Sequence, residues 1–214
     1  MTSVFEYRGV KIERIVHAAF RIEGGGVVVY VDPYQIPSPR LDGDVVVCTH
    51  DHFDHCSPSD INKVAKPGAV IVAPPNCEAK LRRLKFEYKP IKVGETITVS
   101  GVKITAVPAY NTDKPFHPKE YGGIGAIIEI GGLRVYHAGD TDFIPEMGQL
   151  GPIDVALLPV SGTYVMTAED AAKAAEVIKP KIAIPMHYSA IVGSEADAQR
   201  FKRLLEGKIE VVVI

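Results

Sequence analysis

The chain predicts an α/β fold of the α+β kind, with two β-sheets packed face to face and helices on their outer sides, four layers in all. Three observations carry this. Apolar, β-branched runs bounded by Gly, Pro and Asn turns recur along the whole sequence. One order of elements, strands followed by helix, strand and helix, occurs twice and is closed by a last strand. No linker, charge block or low-complexity segment separates the two halves, so residues 1–214 read as one domain. The halves match only in the kind and order of their elements, because no residue-level repeat is visible.

Taken in order, 10–17, 20–23 and 27–32 are strands, with Gly24-Gly25-Gly26 supplying a turn. A Pro-rich loop spans 33–42, and 45–49 is the next strand. Ser57 is an N-cap and Pro58 the first helical position of a helix to Ala65. A short strand covers 70–73. Residues 76–84 read as helical, with basic residues near the end where they suit the helix dipole. The second half opens with a hairpin of 95–99 and 102–107 around Ser100-Gly101. Another hairpin, 125–130 with 133–137, turns at Gly131-Gly132. A buried strand covers 155–158. Thr167 opens a helix to Ile178, with Asp170 in a box-like cap and Pro180 closing it. Residues 182–185 form a strand, Ser194 caps a helix to Leu205 that ends at Gly207, and 209–214 is the final strand.

Composition narrows the function classes. Hydrophobic residues make up 46% of the 214, which argues for a folded globular core and against disorder. A net charge of −2 supplies no strongly basic surface for nucleic acid. Residues 1–8 lack a signal-peptide pattern, and no apolar run approaches the roughly eighteen residues of a membrane span. Cys48, Cys56 and Cys77 are odd in number and lack C-x-x-C spacing, which fits a reducing cytoplasm better than a disulfide framework or thiolate zinc site. Cys56 beside the motif described next is either a ligand or redox-sensitive neighbour or, the preferred reading, a small buried apolar residue.

The chemistry concentrates in Thr49-His50-Asp51-His52-Phe53-Asp54-His55, which packs three imidazoles and two carboxylates between positions 50 and 55. The run leaves a strand end. In extended backbone, side chains two apart point to one side, which lets His50 and His52 bind one metal ion. Asp54 and His55 follow at the turn and can serve a second. Asp51 has the opposite parity, which suits a solvated or loop-fixing role. Two more candidates lie where later strands run out: Asp140, after Ala138-Gly139, and His187, after Pro185-Met186. A carboxylate able to bridge two cations and a late His are what a binuclear site requires.

His50-x-His52-x-Asp54-His55, followed by Gly139-Asp140-Thr141 and Pro185-Met186-His187-Tyr188, resembles the metallo-β-lactamase fold superfamily of hydrolases. His17-Ala18-Ala19-Phe20, Val31-Asp32-Pro33 and Pro159-Val160-Ser161-Gly162-Thr163-Tyr164 resemble the branch containing the ascorbate-6-phosphate lactonase-like proteins. The likeness runs over nearly the whole chain and implies an αββα sandwich. It also implies that His50 and His52 serve a first metal site, that Asp54, His55 and His187 serve a second, and that Asp140 bridges them. The superfamily usually adds a His at the end of a middle strand, where Asn111 stands here. A neutral amide is a poor zinc ligand. Either the first site is weak or empty, or His117, in a Pro-bounded loop six residues on, replaces the missing ligand. Otherwise His117 contacts substrate or solvent.

Other residues read as support. His137 is a core imidazole or one that orients a ligand. His17, at a strand end, touches substrate or is structural. Asp32 is expected to accept an N–H from a ligating imidazole. Thr163 and Tyr164 line the pocket or pack, and a phenol there could polarise a substrate oxygen.

The resemblance implies a hydrolase using one or two divalent ions, zinc or manganese first and iron or nickel next. Metal-bound hydroxide would attack a small phosphorylated, phosphodiester or lactone substrate, with Asp54 orienting the nucleophile or taking its proton. The alternatives are an RNA-processing nuclease of the same superfamily and a non-catalytic metal- or ligand-binding protein. An oxygen-reducing di-iron role is disfavoured, because the relatives that have it resemble a run with a carboxylate where His52 stands. Homo-oligomerisation is left open, and no G-x-S-x-G nucleophile elbow is present.

Overall fold

The computed structural model describes residues 3–214; Met1 and Thr2, the start of the stretch read above for a signal pattern, lie outside the described residues. The first half forms β1 (Val4–Tyr7), β2 (Val10–Val16), β3 (Ala19–Gly24), β4 (Val27–Val31), β5 (Gly43–Val47), α1 (Pro58–Val64), β6 (Ala65–Ala73), α2 (Glu78–Leu81) and β7 (Glu87–Pro90). The second forms β8 (Thr96–Val99), β9 (Val102–Pro108), β10 (Ile124–Ile130), β11 (Leu133–His137), β12 (Val155–Pro159), α3 (Ala168–Ile178), β13 (Ile182–Met186), α4 (Glu195–Leu204) and β14 (Glu210–Val211).

Each half makes one seven-stranded sheet in which the strands follow their order in sequence. β1 to β4 are antiparallel and β4 to β7 parallel; β8 to β11 are antiparallel and β11 to β14 parallel. The halves therefore repeat a topology without repeating a sequence. Their equivalent glycine turns abut. Gly131 has φ +56°, and a Cβ on it would lie 2.7 Å from Val10 Cγ2 and 3.3 Å from Gly24 Cα.

Side-chain parity explains the layers. Val29, Val31, Val45, Val47, Val70 and Val72 face the core between the sheets. The intervening Tyr30, Val46 and Ile71 face outward, where Ile61 and Val64 of α1 and Leu81 of α2 cover them. Strands buried on both faces need apolar residues at every position, which is why the parallel strands read as unbroken runs. On the other sheet α3 packs on β12, α4 on β13, and the two helices on each other. The expected four-layer sandwich is thus what the chain adopts.

The helix starts follow their capping residues. Ser57 Oγ accepts the Asp60 N–H, and Asp60 in turn accepts the N–H groups of Gln35 and Ile36, tying the Pro-rich loop to α1. Thr167 Oγ1 accepts the Asp170 N–H, and Lys179 closes α3 in the left-handed region. Ser194 N–H donates to Asp197 in the α4 cap.

The differences from expectation lie mostly at sheet edges. β1 and β7 were not foreseen, and the closing strand of 209–214 shrinks to two residues. β1, β7 and β14 are all edge strands. An edge strand is paired on one side only and carries charge or Pro, as Glu87-Tyr-Lys-Pro90 does, so the apolar pattern that marks central strands is missing. The helix expected over 76–84 is a 3₁₀ turn at Pro75–Cys77 followed by four α-helical residues. β6 begins at Ala65 rather than at position 70. Among the described residues no helix is long and apolar enough to cross a membrane.

Candidate metal centre

Parallel strands gather their carboxyl ends on one edge, and in sheets of this type ligands bind in the crevice outside those ends. Here β4 leads into Asp32, β5 into the 49–55 run, β11 into Asp140, β12 into Ser161 and β13 into His187. Hairpin register brings two more loops to the same edge. Phe20 pairs with Val31, so the β2–β3 turn lies beside the end of β4. Ala126 pairs with His137, so the β9–β10 loop lies beside the end of β11. The first of these loops carries His17; the topologically equivalent second carries Asn111 and His117.

The side chains fall into two groups joined by a carboxylate. His50, His52 and His117 form one group and His17, Asp54, His55 and His187 the other, while Asp140 groups with His50 and His55. His117 Nε2 lies 3.2 Å from His52 Nδ1 and 3.4 Å from Asp140 Oδ2. His50 Nε2 lies 3.0 Å from His52 Nδ1. In the second group His17 Nε2 is 3.2 Å from Asp54 Oδ2, and its ring centroid is 3.8 Å from that of His187. His55 Nε2 lies 3.3 Å from both Asp54 Oδ2 and Asp140 Oδ1. His187 Nε2 lies 3.1 Å from Asp140 Oδ2.

Several of these atoms converge without hydrogen bonds. His17 Nε2, His55 Nε2 and Asp140 Oδ1 are buried and have no hydrogen-bond partner. Buried polar atoms are almost always paired, because leaving one unpaired costs about 1–3 kcal/mol. Imidazole nitrogens and carboxylate oxygens aimed at common points are the donor set that divalent zinc, manganese or iron takes. The residues present therefore fit such an ion.

Protonation suits the same chemistry. Burial, and then repulsion from His55, holds His50 well below the ordinary imidazole value. Burial pushes His117 down to about 4, and His17 is lowered mainly by burial too. Burial opposes ionisation of Asp140, but His187 and His55 outweigh it and hold the carboxyl well below its usual range. For Asp54 the close approach of the His17 and His55 imidazoles likewise outweighs burial and holds the carboxyl well below its usual range. His55 is the exception: burial disfavours its charge, yet Asp140 and Asp32 raise it well above the ordinary value. Metal ligation takes neutral imidazoles and ionised carboxylates, so the His55 proton stands to be displaced.

An outer set of groups aims the rings. Asp32 is buried, with Oδ2 2.7 Å from His55 Nδ1, and it also accepts the Thr49 N–H and hydroxyl, each at 2.7 Å. Thr49 Oγ1 is 3.0 Å from His50 Nδ1, and Ser161 Oγ is 3.0 Å from His187 Nδ1. Asn111 Oδ1 lies 2.9 Å from His117 Nδ1 and accepts the His117 backbone N–H, while its amide donates to the Tyr164 carbonyl. Asn111 thus grips the imidazole that reaches the cluster. Among the described residues, His137 makes its hydrogen bonds to backbone and none to a candidate ligand side chain. Its Nε2 is 2.9 Å from the Ala18 carbonyl and its Nδ1 accepts the Gly139 N–H, so it ties the His17 turn to the Asp140 turn.

The remaining residues sort as follows. His17 lies inside the second group, deeper than the substrate-contact or structural role expected for it. Asp51 accepts from the Tyr121 hydroxyl and fixes the loop. Tyr164 lines the cavity over the cluster; Thr163 is not among its lining residues. All three cysteines are free and buried, and no candidate metal group among the described residues contains one. Sequence reasoning passed over Ser161, Tyr121, Phe53, Phe116 and Ile191. Ser161 lies within the Pro159-Val160-Ser161-Gly162-Thr163-Tyr164 segment, and Phe116 and Tyr121 lie close to His117 in sequence; nothing in the local pattern distinguishes Ile191.

The Beta-lactamase superfamily domain family matches residues 11–187. A UPF0173 metal-dependent hydrolase from Thermococcus onnurineus is 35% identical over 224 residues, covering 96% of each chain. The crystal structure of a protein from Parabacteroides distasonis superposes with a TM-score of 0.85 at 35% identity, covering 100% of this chain and 97% of that one. Igni18, a metallo hydrolase from the archaeon Ignicoccus hospitalis, superposes with a TM-score of 0.79 at 30% identity, covering 96% and 94%.

Proposed function

We propose, for a chain that belongs to the metallo-β-lactamase superfamily and within it to the UPF0173 metal-dependent hydrolases, that two metal sites sharing Asp140 drive hydrolysis of a small phosphorylated, phosphodiester or lactone substrate. The observation that carries this is the pair of imidazole groups meeting at one buried carboxylate beneath an open cavity. His50, His52 and His117 would hold one ion, and Asp54, His55, His187 and His17 the other. A bound divalent ion supplies Lewis acidity and lowers the pKa of a coordinated water towards neutrality.

The chain's own groups do the rest. Asp54 borders the cavity and is held ionised well below neutral pH, so it orients the attacking water as an acceptor. A base held that low is poorly matched to proton uptake near pH 7. The Tyr164 phenol lines the same cavity and is placed to donate to a substrate oxygen as charge builds on it. Asn111, Ser161, Thr49 and Asp32 keep the imidazoles aimed. We read residues 1–214 as one hydrolase domain that works in the cytoplasm on small molecules. The nuclease alternative lacks support, because neither the net charge nor the cavity wall offers cations to a polynucleotide.

Protein loaded in turn with Mn²⁺, Zn²⁺ and Ni²⁺ is expected to turn over bis-p-nitrophenyl phosphate or a member of a lactone panel, and to lose that activity to a chelator. Stoichiometric loading without turnover by any metal would overturn this reading. Asn111→Ala is expected to weaken metal binding at the His50, His52 and His117 group by about 10–100-fold, read by chelator competition. Unchanged affinity would remove Asn111 from its positioning role.

A further inference from the structure

We infer that the part of the substrate that does not react is uncharged and apolar, so that the preferred substrates are lactones or esters carrying an alkyl or aryl arm. This rests on the hydrolase reading above and narrows its substrate class. The cavity over the two groups measures about 220 Å³. His52, Asp54, His117 and Asp140 form its floor, and Phe53, Phe116, Tyr164 and Ile191 its walls. Pockets for drug-sized ligands run from about 300 to 1,000 Å³, so what is enclosed here is a scissile group and a short arm.

The walls are built rather than incidental. Phe53 and Phe116 are the only phenylalanines exposed among the described residues, at 63% and 44%, and both stand at this mouth beside Ile191 at 39%. Exposed apolar side chains scattered singly need no explanation, but ones gathered over a polar floor mark a binding surface. Each phenylalanine is braced edge-on by a tyrosine: Phe53 by Tyr34 at 5.9 Å and Phe116 by Tyr164 at 4.7 Å between ring centroids.

Charge points the same way. No Lys or Arg lines the cavity among the described residues. The cations of the flanking loops are committed elsewhere: Lys114 to Asp142 and Asp113, Lys119 to Glu146, and Lys80 to the Asp51 carbonyl. A phosphate that is itself attacked could sit on the metal-ligating floor. A second, spectator phosphate would face aromatic rings without a cation, and burying an unpaired charge is strongly unfavourable. Sugar-phosphate lactones are therefore the wrong shape of charge for this mouth. In the reaction one water adds its oxygen to the acyl carbon, the ring or ester C–O bond breaks, and the leaving oxygen takes the proton, giving a hydroxy acid or an acid and an alcohol.

The test uses metal-loaded protein and γ-lactones of increasing arm length, from γ-butyrolactone to γ-octalactone, with 6-phosphogluconolactone as the charged comparison. kcat/KM is expected to rise by up to about fourfold for each methylene that is fully buried, and so by up to about two hundredfold for a butyl arm, and the phosphorylated lactone to be the poorest substrate. The Phe53→Ser, Phe116→Ser double variant should flatten the series while keeping its metal content by elemental analysis. Octanoate should raise the unfolding temperature more than acetate does, in the parent protein but not in the double variant. A flat series, or preference for the phosphorylated lactone, overturns the apolar-arm inference and leaves the hydrolase reading standing. Octanoate binding of the expected kind with no turnover upholds the apolar subsite and overturns the lactone and ester reading. Absence of both chain-length dependence and octanoate preference overturns the inference outright.

Discussion

Replacing Asp140 by alanine is expected to lower metal content and activity together, more than any other single change at the site. Its Oδ2 lies 3.1 Å from His187 Nε2, 3.4 Å from His117 Nε2 and 3.9 Å from His50 Nε2, while Oδ1 lies 3.3 Å from His55 Nε2. It is the carboxylate that approaches imidazoles from both groups. Without it four buried imidazoles face each other with no shared countercharge, and each of the two proposed metal sites loses the carboxylate they share. The loss in kcat/KM should exceed the roughly 10–100-fold that removal of an outer partner costs. His137→Ala is the control. His137 bonds only the backbone at Ala18 and Gly139, so its loss is expected to leave metal content largely intact. Elemental analysis of both variants decides the matter, and equal metal loss in the two would overturn this sorting of ligands from supports.

Asp32→Ala is expected to cost the largest share of stability among the site variants. Asp32 is fully buried and accepts three bonds of 2.7 Å, from the Thr49 N–H, the Thr49 hydroxyl and His55 Nδ1. Alanine strands all three donors where water cannot reach, and His55 loses one of the two carboxylates that sustain its charge. Breaking a buried charged network by removing one partner costs about 3–5 kcal/mol. Urea unfolding should show a lower midpoint at unchanged slope. Asp32→Asn keeps the shape and an acceptor, and it should fall between the two. A midpoint for the alanine variant close to that of the parent would show that the Thr49 turn finds other partners.

The legibility of the chain followed burial. Central strands such as Val45–Val47 and Val155–Pro159 are covered on both faces, so their identity is written as continuous apolar runs. Caps at Ser57 and Thr167 obey local hydrogen-bond chemistry, so the helix starts were readable too. The edge strands β1, β7 and β14 were not, because an edge needs no second apolar face. At the site, His50, His52, Asp54 and His55 announced themselves by spacing, and Asp140 and His187 by standing at strand ends. His17 and His117 sit in loops whose sequences carry no period. What brings them in is the register of the hairpins β2–β3 and β9–β10 at one edge of the sandwich.

By itself, then, the sequence determined the layers, the order of the elements and the candidate metal-binding run, because these rest on local periodicity and on contacts between near neighbours in the chain. Only the tertiary structure decided that His17 and His117 complete the two groups, that Asn111 grips an imidazole where the superfamily usually carries a His, and that the mouth is apolar. Each of these depends on which loops meet across some tens to more than a hundred residues, and loop shape is set by the sheets that hold the loop ends, not by the residues within the loop.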